Sequence, residues 1–186
     1  MAVATSPQKK YTYEDYLLLP DDDGQLYELI DGELFVNASP VPRHQRIVGN
    51  LYVLIWPYVR QHDCGELYFA PLDVVLSTHD VLEPDLLYIT KENARILTEK
   101  NVQGTPDFVV EILSESNRRK DEVLKLERYD RFGVAEYWIV DPKRDRVKVY
   151  RREGNRLEQV EVLSKSGTLT SPFFPGLTID VRAVFA

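Results

Sequence analysis

Apolar residues recur along this chain with two different periods, and the changes between them predict where helices and strands lie. Over residues 44–59 the apolar positions follow the 3.6-residue period of an amphipathic helix, which we expect Pro57 to kink or end. A second amphipathic helix is predicted over residues 120–132, closed by Gly133. Two shorter helices are predicted over residues 11–19 and 91–99.

Runs rich in β-branched and aromatic residues predict the strands. These runs span residues 27–30, 33–37, 67–76, 85–89, 107–113, 137–140, 146–152, 157–163 and 177–181. Asp31-Gly32, which tolerates positive φ, predicts a hairpin between the first two. The strand, helix and strand over residues 107–140 predict a parallel pair with a right-handed crossover. The order therefore predicts an α/β fold with a mixed sheet, α-β-β-β-α-β, flanked by an N-terminal and a C-terminal hairpin.

The composition predicts one soluble domain over residues 11–186, after a disordered lead over residues 1–10. No stretch approaches the roughly twenty apolar residues of a membrane span. The first ten residues lack the apolar centre of a signal peptide, so a cytoplasmic protein is expected. Cys64 is the only cysteine, which excludes an internal disulfide and a cysteine-based zinc site.

The net charge of -7 is unevenly distributed. Residues 143–156 hold seven basic and two acidic residues, a net charge of +5, whereas residues 1–142 hold 14 basic and 25 acidic residues, a net charge of -11. An acidic body is typical of carboxylates gathered around a metal, and equally of solvated helix faces. The overall charge argues against nucleic-acid binding by the whole surface, because that binding needs local positive charge.

Two carboxylates stand where a charge is costly. Glu111 interrupts the apolar run 107–113, which is typical of a central strand covered on both faces. An ionised carboxylate there must be paired or bind a cation, so we interpret Glu111 as a metal ligand, with an ion pair as the alternative. Asp85 stands at the beginning of the preceding strand. The alternative to a metal-ligand role for Asp85 is a purely structural role beside Pro84. Together, two carboxylates on adjacent strands predict a Mg²⁺ or Mn²⁺ site.

The helix predicted over residues 120–132 carries two lysines that its geometry separates. At about 100° per residue, Lys125 shares a stripe with Tyr129 and Phe132 and should point inward. Its ammonium could then orient a nucleophilic water or stabilise charge on a phosphate. The alternative is a buried stem whose ammonium reaches solvent. Lys120 falls about 140° away and is expected to be solvated.

The combination of Pro84-Asp85, Glu111-Ile112-Leu113 and Lys125 resembles the PD-(D/E)XK restriction-endonuclease-like superfamily, and more narrowly its Uma-type family of restriction endonucleases. The likeness covers residues 11–181. It includes longer strings, namely YELIDGE at 27–33, the helix opening at His44, EILS at 111–114 and GVAEYWIVDP at 133–142. The resemblance implies the restriction-endonuclease-like core, metal-dependent hydrolysis of phosphodiester bonds in DNA and, for cutting both strands, a homodimer.

One position departs from the superfamily pattern. A lysine commonly stands two residues beyond the strand carboxylate, and here that position is Leu113. The resemblance therefore implies a migrated lysine, and helix geometry selects Lys125. Glu28 and His44 match further positions of the family pattern, so Glu28 is an additional candidate carboxylate. His44 is a candidate site residue, with a half-buried structural histidine as the alternative.

Two basic stretches are candidates for contacts with nucleic acid. Strand 146–152 places basic residues and Tyr150 on one face, but basic residues on an edge hairpin also discourage aggregation, and we favour that interpretation. The run Arg118-Arg119-Lys120 lies closer to the candidate carboxylates and is the preferred phosphate contact.

These residues predict a Mg²⁺- or Mn²⁺-dependent endonuclease. Asp85 and Glu111 hold the metal, and Lys125 positions water for in-line attack. One alternative is a catalytically silent module of the same fold that binds nucleic acid or protein, although the presence of all three residues argues against it. The other is a metal-dependent hydrolase of a different phosphate compound, which fits the acidic surface better.

Overall fold

The computed structural model describes residues 9–20, 24–114 and 118–186. The helices are α1 (Tyr13–Tyr16), α2 (Pro42–His62), α3 (Leu126–Phe132) and α4 (Val181–Val184), with a 3-10 helix at Lys91–Ile96 and a π-helix at Lys120–Lys125. The strands are β1 (Leu26–Ile30), β2 (Glu33–Asn37), β3 (Gly65–Phe69), β4 (Val74–Ser77), β5 (Asp80–Leu82), β6 (Leu86–Thr90), β7 (Val102–Gln103), β8 (Phe108–Ile112), β9 (Glu136–Asp141), β10 (Arg146–Glu153), β11 (Arg156–Ser164), β12 (Thr168–Leu169) and β13 (Ile179–Asp180). The first eight residues of the predicted lead lie outside the described part of the chain.

The strands form a six-stranded sheet, a five-stranded sheet and a small pair. The six-stranded sheet has the order β11-β10-β9-β8-β6-β3, the five-stranded sheet has the order β2-β1-β5-β4-β7, and β12 pairs with β13. In the larger sheet β8 runs parallel to β9 and antiparallel to β6. The predicted mixed α/β fold and its parallel pair are therefore confirmed.

Both faces of β8 are covered, as its continuous apolar run predicts. Phe108, Val110 and Ile112 belong to a core that includes the apolar face of α2. Val109 belongs to a second core, with Tyr129 of α3, on the opposite face. Because side chains alternate along a strand, Glu111 must point toward the second face, where the π-helix and α3 lie.

The two predicted hairpins are present. Asp31 and Gly32 join β1 to β2 with φ values of 50° and 78°, the left-handed region that a tight turn requires. The turn lies between two strands whose register places Glu28 opposite Phe35. At the other end of the chain β10 and β11 pair antiparallel over their length.

Two boundaries differ from the prediction. Helix α2 continues through Pro57 to His62, so the expectation that Pro57 ends it is wrong. Ile55 and Val59 are buried on either side of the proline, so tertiary packing outweighs the lost backbone hydrogen bond. The predicted strand 67–76 is two strands, β3 and β4, which belong to different sheets.

No helix in the described ranges is long and apolar enough to cross a membrane.

Candidate active site

A cavity of about 770 Å³ opens beside the carboxyl ends of the parallel strands β8 and β9. Open α/β sheets bind ligands at this edge because the chain leaves each strand there and loops can converge. The cavity wall contains all five residues predicted to be catalytic. They are Glu28, His44, Asp85, Glu111 and Lys125.

Glu111 lies in the interior and is 2% exposed. Its Oε1 accepts hydrogen bonds from Lys125 Nζ at 2.8 Å and from the Tyr129 hydroxyl at 2.7 Å. Burial raises the pKa of Glu111 well above its ordinary value; Lys125 opposes this rise, and Asp121 adds to it. The ion pair proposed as the alternative for Glu111 therefore exists, and it coexists with an excess of nearby negative charge.

Lys125 points inward as predicted, and its ammonium does not reach solvent. Its Nζ lies 2.7 Å from Glu28 Oε1, 2.8 Å from Glu111 Oε1 and 3.7 Å from Asp121 Oδ1. Burial alone would lower the pKa of Lys125, but Glu111 and Glu28 outweigh it and raise that pKa well above its usual range. Lys125 thus holds a fixed positive charge between two strands.

Lys120 is 7% exposed, so the prediction that it is solvated is wrong. Its Nζ lies 2.6 Å from Glu28 Oε2 and also donates to Asn37 Oδ1. The reason is the π-helix, whose hydrogen bonds join residues five apart and so bring Lys120 and Lys125 toward the same side. An α-helical wheel places them on different sides. The Lys120 ammonium therefore lies in the interior, beside Glu28 and Asn37, in the wall of the cavity.

Glu28 is fully buried and anchors both lysines, one through each carboxylate oxygen. The Asn37 side chain donates to Oε2 at 3.0 Å, and the Glu83 backbone N–H donates to Oε1 at 3.0 Å. Burial raises the pKa of Glu28, but Lys125 and Lys120 outweigh it and lower the pKa to about 2. Glu28 is therefore an ionised anchor with both oxygens occupied.

Asp85 lies at the start of β6 and is held in place from two directions. Its Oδ2 accepts the backbone N–H of Ile112 at 2.7 Å and lies 3.2 Å from His44 Nε2. Burial lowers the pKa of His44, whereas its hydrogen bond to Asp85 outweighs this and raises it. His44 Nδ1 is buried without a hydrogen-bond partner among the described residues. His44 is thus both half of a structural pair and part of the cavity wall.

Three further acidic residues in the cavity wall, Glu83, Asp121 and Asp141, were not identified from the sequence as site residues. Asp121 is 3% exposed, and burial raises its pKa to about 7 against the opposing effect of Lys125. Burial, with Asp73 adding to it, raises the pKa of Glu83 to about 7. Asp121 lies four residues before Lys125, so α-helical spacing already places the two side chains on one face, and the inward direction of Lys125 was the signal that could have identified Asp121.

Of the two remaining predicted nucleic-acid contacts, Arg118 lies at the cavity and Arg119 does not line it. Arg118 lines the cavity and donates to both oxygens of Asp141, at 3.2 and 3.1 Å. Burial raises the pKa of Asp141, but hydrogen bonds from Arg118 and Arg144 outweigh it and lower the pKa to about 2. Arg119 is exposed.

Comparison with known proteins places the chain among nuclease-like folds. A family model described as "Uma2: Putative restriction endonuclease" matches residues 13–182. A crystal structure described as a "putative nuclease belonging to DUF820", from Anabaena variabilis, superposes with a TM-score of 0.79 at 20% sequence identity, covering 94% of this chain and 97% of that chain. No curated protein matches the sequence.

Proposed function

The chain belongs to the Uma2 family, and we propose that it is a metal-dependent endonuclease that hydrolyses phosphodiester bonds of DNA. The observation that carries the proposal is the buried contact between Glu111 and Lys125 at 2.8 Å, in one cavity with Asp85. A carboxylate and an ammonium held together in the interior cost desolvation energy, so their placement beside an open cavity favours a chemical role over a structural one.

The donor chemistry of the cavity fits a divalent cation. Within the described ranges no three His, Cys, Asp or Glu side chains form a ready ligand set. Mg²⁺ does not require one, because it is commonly bound by one or two carboxylates, with waters and substrate phosphates completing its shell. Asp85 and Glu111 are the two carboxylates that we assign to this role.

The buried carboxylates of the cavity support the same assignment. The cavity wall contains six carboxylates (Glu28, Glu83, Asp85, Glu111, Asp121 and Asp141) and five basic side chains (Arg43, Arg118, Lys120, Lys125 and Lys143). Burial raises the pKa of Glu111 well above its ordinary value and that of Asp121 to about 7; Lys125 opposes both rises, and neighbouring carboxylates add to them. A bound divalent cation would favour the ionised forms of these carboxylates.

Each residue then has a distinct task. A Mg²⁺ or Mn²⁺ ion held by Asp85 and Glu111 would supply Lewis-acid polarisation of the scissile phosphate. Lys125 donates hydrogen bonds from a fixed position, which orients a nucleophilic water and stabilises negative charge that grows on the phosphate. Glu28 holds Lys125 and Lys120 in place. The Ile112 N–H fixes the direction of the Asp85 carboxylate.

The test is cleavage of labelled double-stranded and single-stranded DNA with Mg²⁺ or Mn²⁺. Glu111→Gln should reduce cleavage by about 100-fold or more, the usual effect of removing an electrostatic group from a reacting centre. The matched control is Glu161→Gln, because Glu161 is exposed on β11 outside the cavity and should leave cleavage unchanged. Equal cleavage by both variants would refute the assignment of the site.

Two outcomes of the same assay would replace the proposal. Metal-independent DNA binding without any cleavage would indicate a binding module of this fold. Hydrolysis of a small phosphodiester such as bis-p-nitrophenyl phosphate, with neither DNA form cleaved, would indicate a hydrolase of another phosphate compound.

A further inference from the structure

Three arginine side chains surround one buried aspartate at the cavity rim, and we call this group the arginine cluster (Arg118, Arg144 and Arg146 around Asp141). Arg118 contacts the Asp141 carboxylate at 3.2 and 3.1 Å, and Arg144 contacts it at 3.0 Å. Arg146 Nε lies 3.7 Å from Asp141 Oδ2. Guanidinium groups repel one another and do not lose their protons, so one carboxylate compensates this arrangement only in part.

The cluster carries an excess of about two positive charges. The Asp141 side chain is 1% exposed and ionised, since its contacts with Arg118 and Arg144 outweigh the effect of burial and hold its pKa near 2. The adjacent Glu122 contacts both Arg118 and Lys148, and this additional acid and base leave the excess unchanged. Four cations thus face two carboxylates at one place on a chain whose net charge is -7.

One donor of the cluster, Arg146 Nε, lies beyond hydrogen-bond distance of Asp141. Asp141 already accepts bonds from Arg118, from Arg144 and from the backbone N–H of Lys143. Arg146 Nε is buried and has no hydrogen-bond partner within the part of the chain that the structure describes. Asp141 therefore does not bond to every donor of the cluster, and its single negative charge is shared among three guanidinium groups.

The cluster remains accessible from solvent. The exposed fractions of the Arg118, Arg144 and Arg146 side chains are 31%, 53% and 32%. Asp141 ends β9, two residues beyond Ile139, which is the partner of Glu111 across the parallel pair. Two residues of strand correspond to about 7 Å, close to the rise of two nucleotides along one DNA strand.

The geometry points to the arginine cluster as a binding site for backbone phosphates of DNA, next to the phosphate that is cleaved. This inference rests on the proposed function. Planar guanidinium groups match the oxygens of a phosphate, and Asp141 holds Arg118 and Arg144 in place so that less order must be imposed when DNA binds. A contact to the backbone alone is independent of base sequence.

The test is the salt dependence of duplex binding. Fluorescence anisotropy with a labelled 20-base-pair duplex gives Kd from 50 to 300 mM salt, in EDTA and in Ca²⁺. Each phosphate contact contributes about 0.9 to the slope of log K against log salt, so Arg144→Ala/Arg146→Ala should reduce the slope by about 1.8. The loss should be the same for unrelated duplex sequences. The control is Arg182→Ala, which also removes an Arg–Asp pair but lies outside the cavity.

Each outcome has a distinct meaning. A slope for the double variant equal to that of Arg182→Ala would overturn the inference, while cleavage by the parent protein would leave the proposed function standing. A parent protein that neither binds nor cleaves DNA would overturn both. If circular dichroism shows that the double variant does not fold, Arg144→Ala alone replaces it, because this side chain is half exposed. Its slope should then fall by about 0.9, and no change would be decisive against the cluster.

Discussion

Substitution of Lys125 by methionine should strongly destabilise the metal-free protein. The methionine keeps most of the buried stem but removes an ammonium that lies 2.7 Å from Glu28 and 2.8 Å from Glu111. Removing one partner of a buried ion pair costs about 3–5 kcal/mol, because the other charge stays buried without compensation. Lys125 serves two carboxylates and is 3% exposed, so we expect the upper end of this range.

A second substitution should restore part of that loss. Lys125→Met leaves the Glu28 and Glu111 carboxylates without the Lys125 ammonium. In Lys125→Met/Glu111→Gln the charge of Glu111 is also removed, and Glu28 still has Lys120 as a partner. Breaking a buried ion pair costs several kcal/mol, whereas replacing both of its members by neutral groups is often close to neutral, so the double variant should be about 2 kcal/mol more stable than Lys125→Met. A gain in stability from a second core substitution is unusual, because such a substitution ordinarily destabilises the protein further.

The assay is urea unfolding in EDTA, where bound metal cannot contribute to the free energy of unfolding. The control is Lys100→Met, an exposed lysine that should change the free energy of unfolding by no more than about 0.5 kcal/mol. A Lys125→Met cost below about 1 kcal/mol would contradict a buried ion pair at Lys125, because such a cost is typical of an exposed pair. A double variant less stable than Lys125→Met would also refute it.

Three further results are expected. Mg²⁺ or Mn²⁺ should raise the Tm of the parent protein, measured by calorimetry, and Asp85→Asn and Glu111→Gln should each lose that increment, because a ligand bound only by the folded state stabilises it. Lys120→Met should lower the free energy of unfolding by about 3 kcal/mol, whereas Arg119→Met on the exposed side should change it little in the same urea assay. The pKa of Asp141 is lowered to about 2, so its ionised form contributes about 2 kcal/mol that is present above pH 4 and is lost as the pH falls toward 2; Asp141→Asn should flatten that part of the stability curve.

The positions of Glu111 and Lys125 could be predicted from the pattern of hydrophobic residues. A carboxylate inside the apolar run 107–113 identifies Glu111, and its position on β8 fixes the face to which it points. The inward direction of Lys125 follows from its stripe with Tyr129, which the structure confirms through the shared contact with Glu111. These predictions hold because each depends on local geometry and on the cost of burying charge.

The sequence did not reveal the π-helix, and Lys120 was misplaced as a result. A π-helix changes the angle between successive residues without a signature in composition, so an α-helical wheel placed Lys120 in solvent. Glu28 required tertiary structure for another reason. It lies on β1 of the smaller sheet, and only the packing of that sheet against the π-helix brings it to both lysines.

The most direct test of the metal-dependent site is a crystal soaked in Mn²⁺ and measured at the manganese absorption edge. We expect one anomalous peak per chain, about 2.1 Å from carboxylate oxygens of Asp85 and Glu111 and absent from Glu111→Gln crystals. A peak at another position, or no peak in protein whose DNA cleavage requires Mn²⁺, would contradict the claim that these two residues hold the catalytic metal.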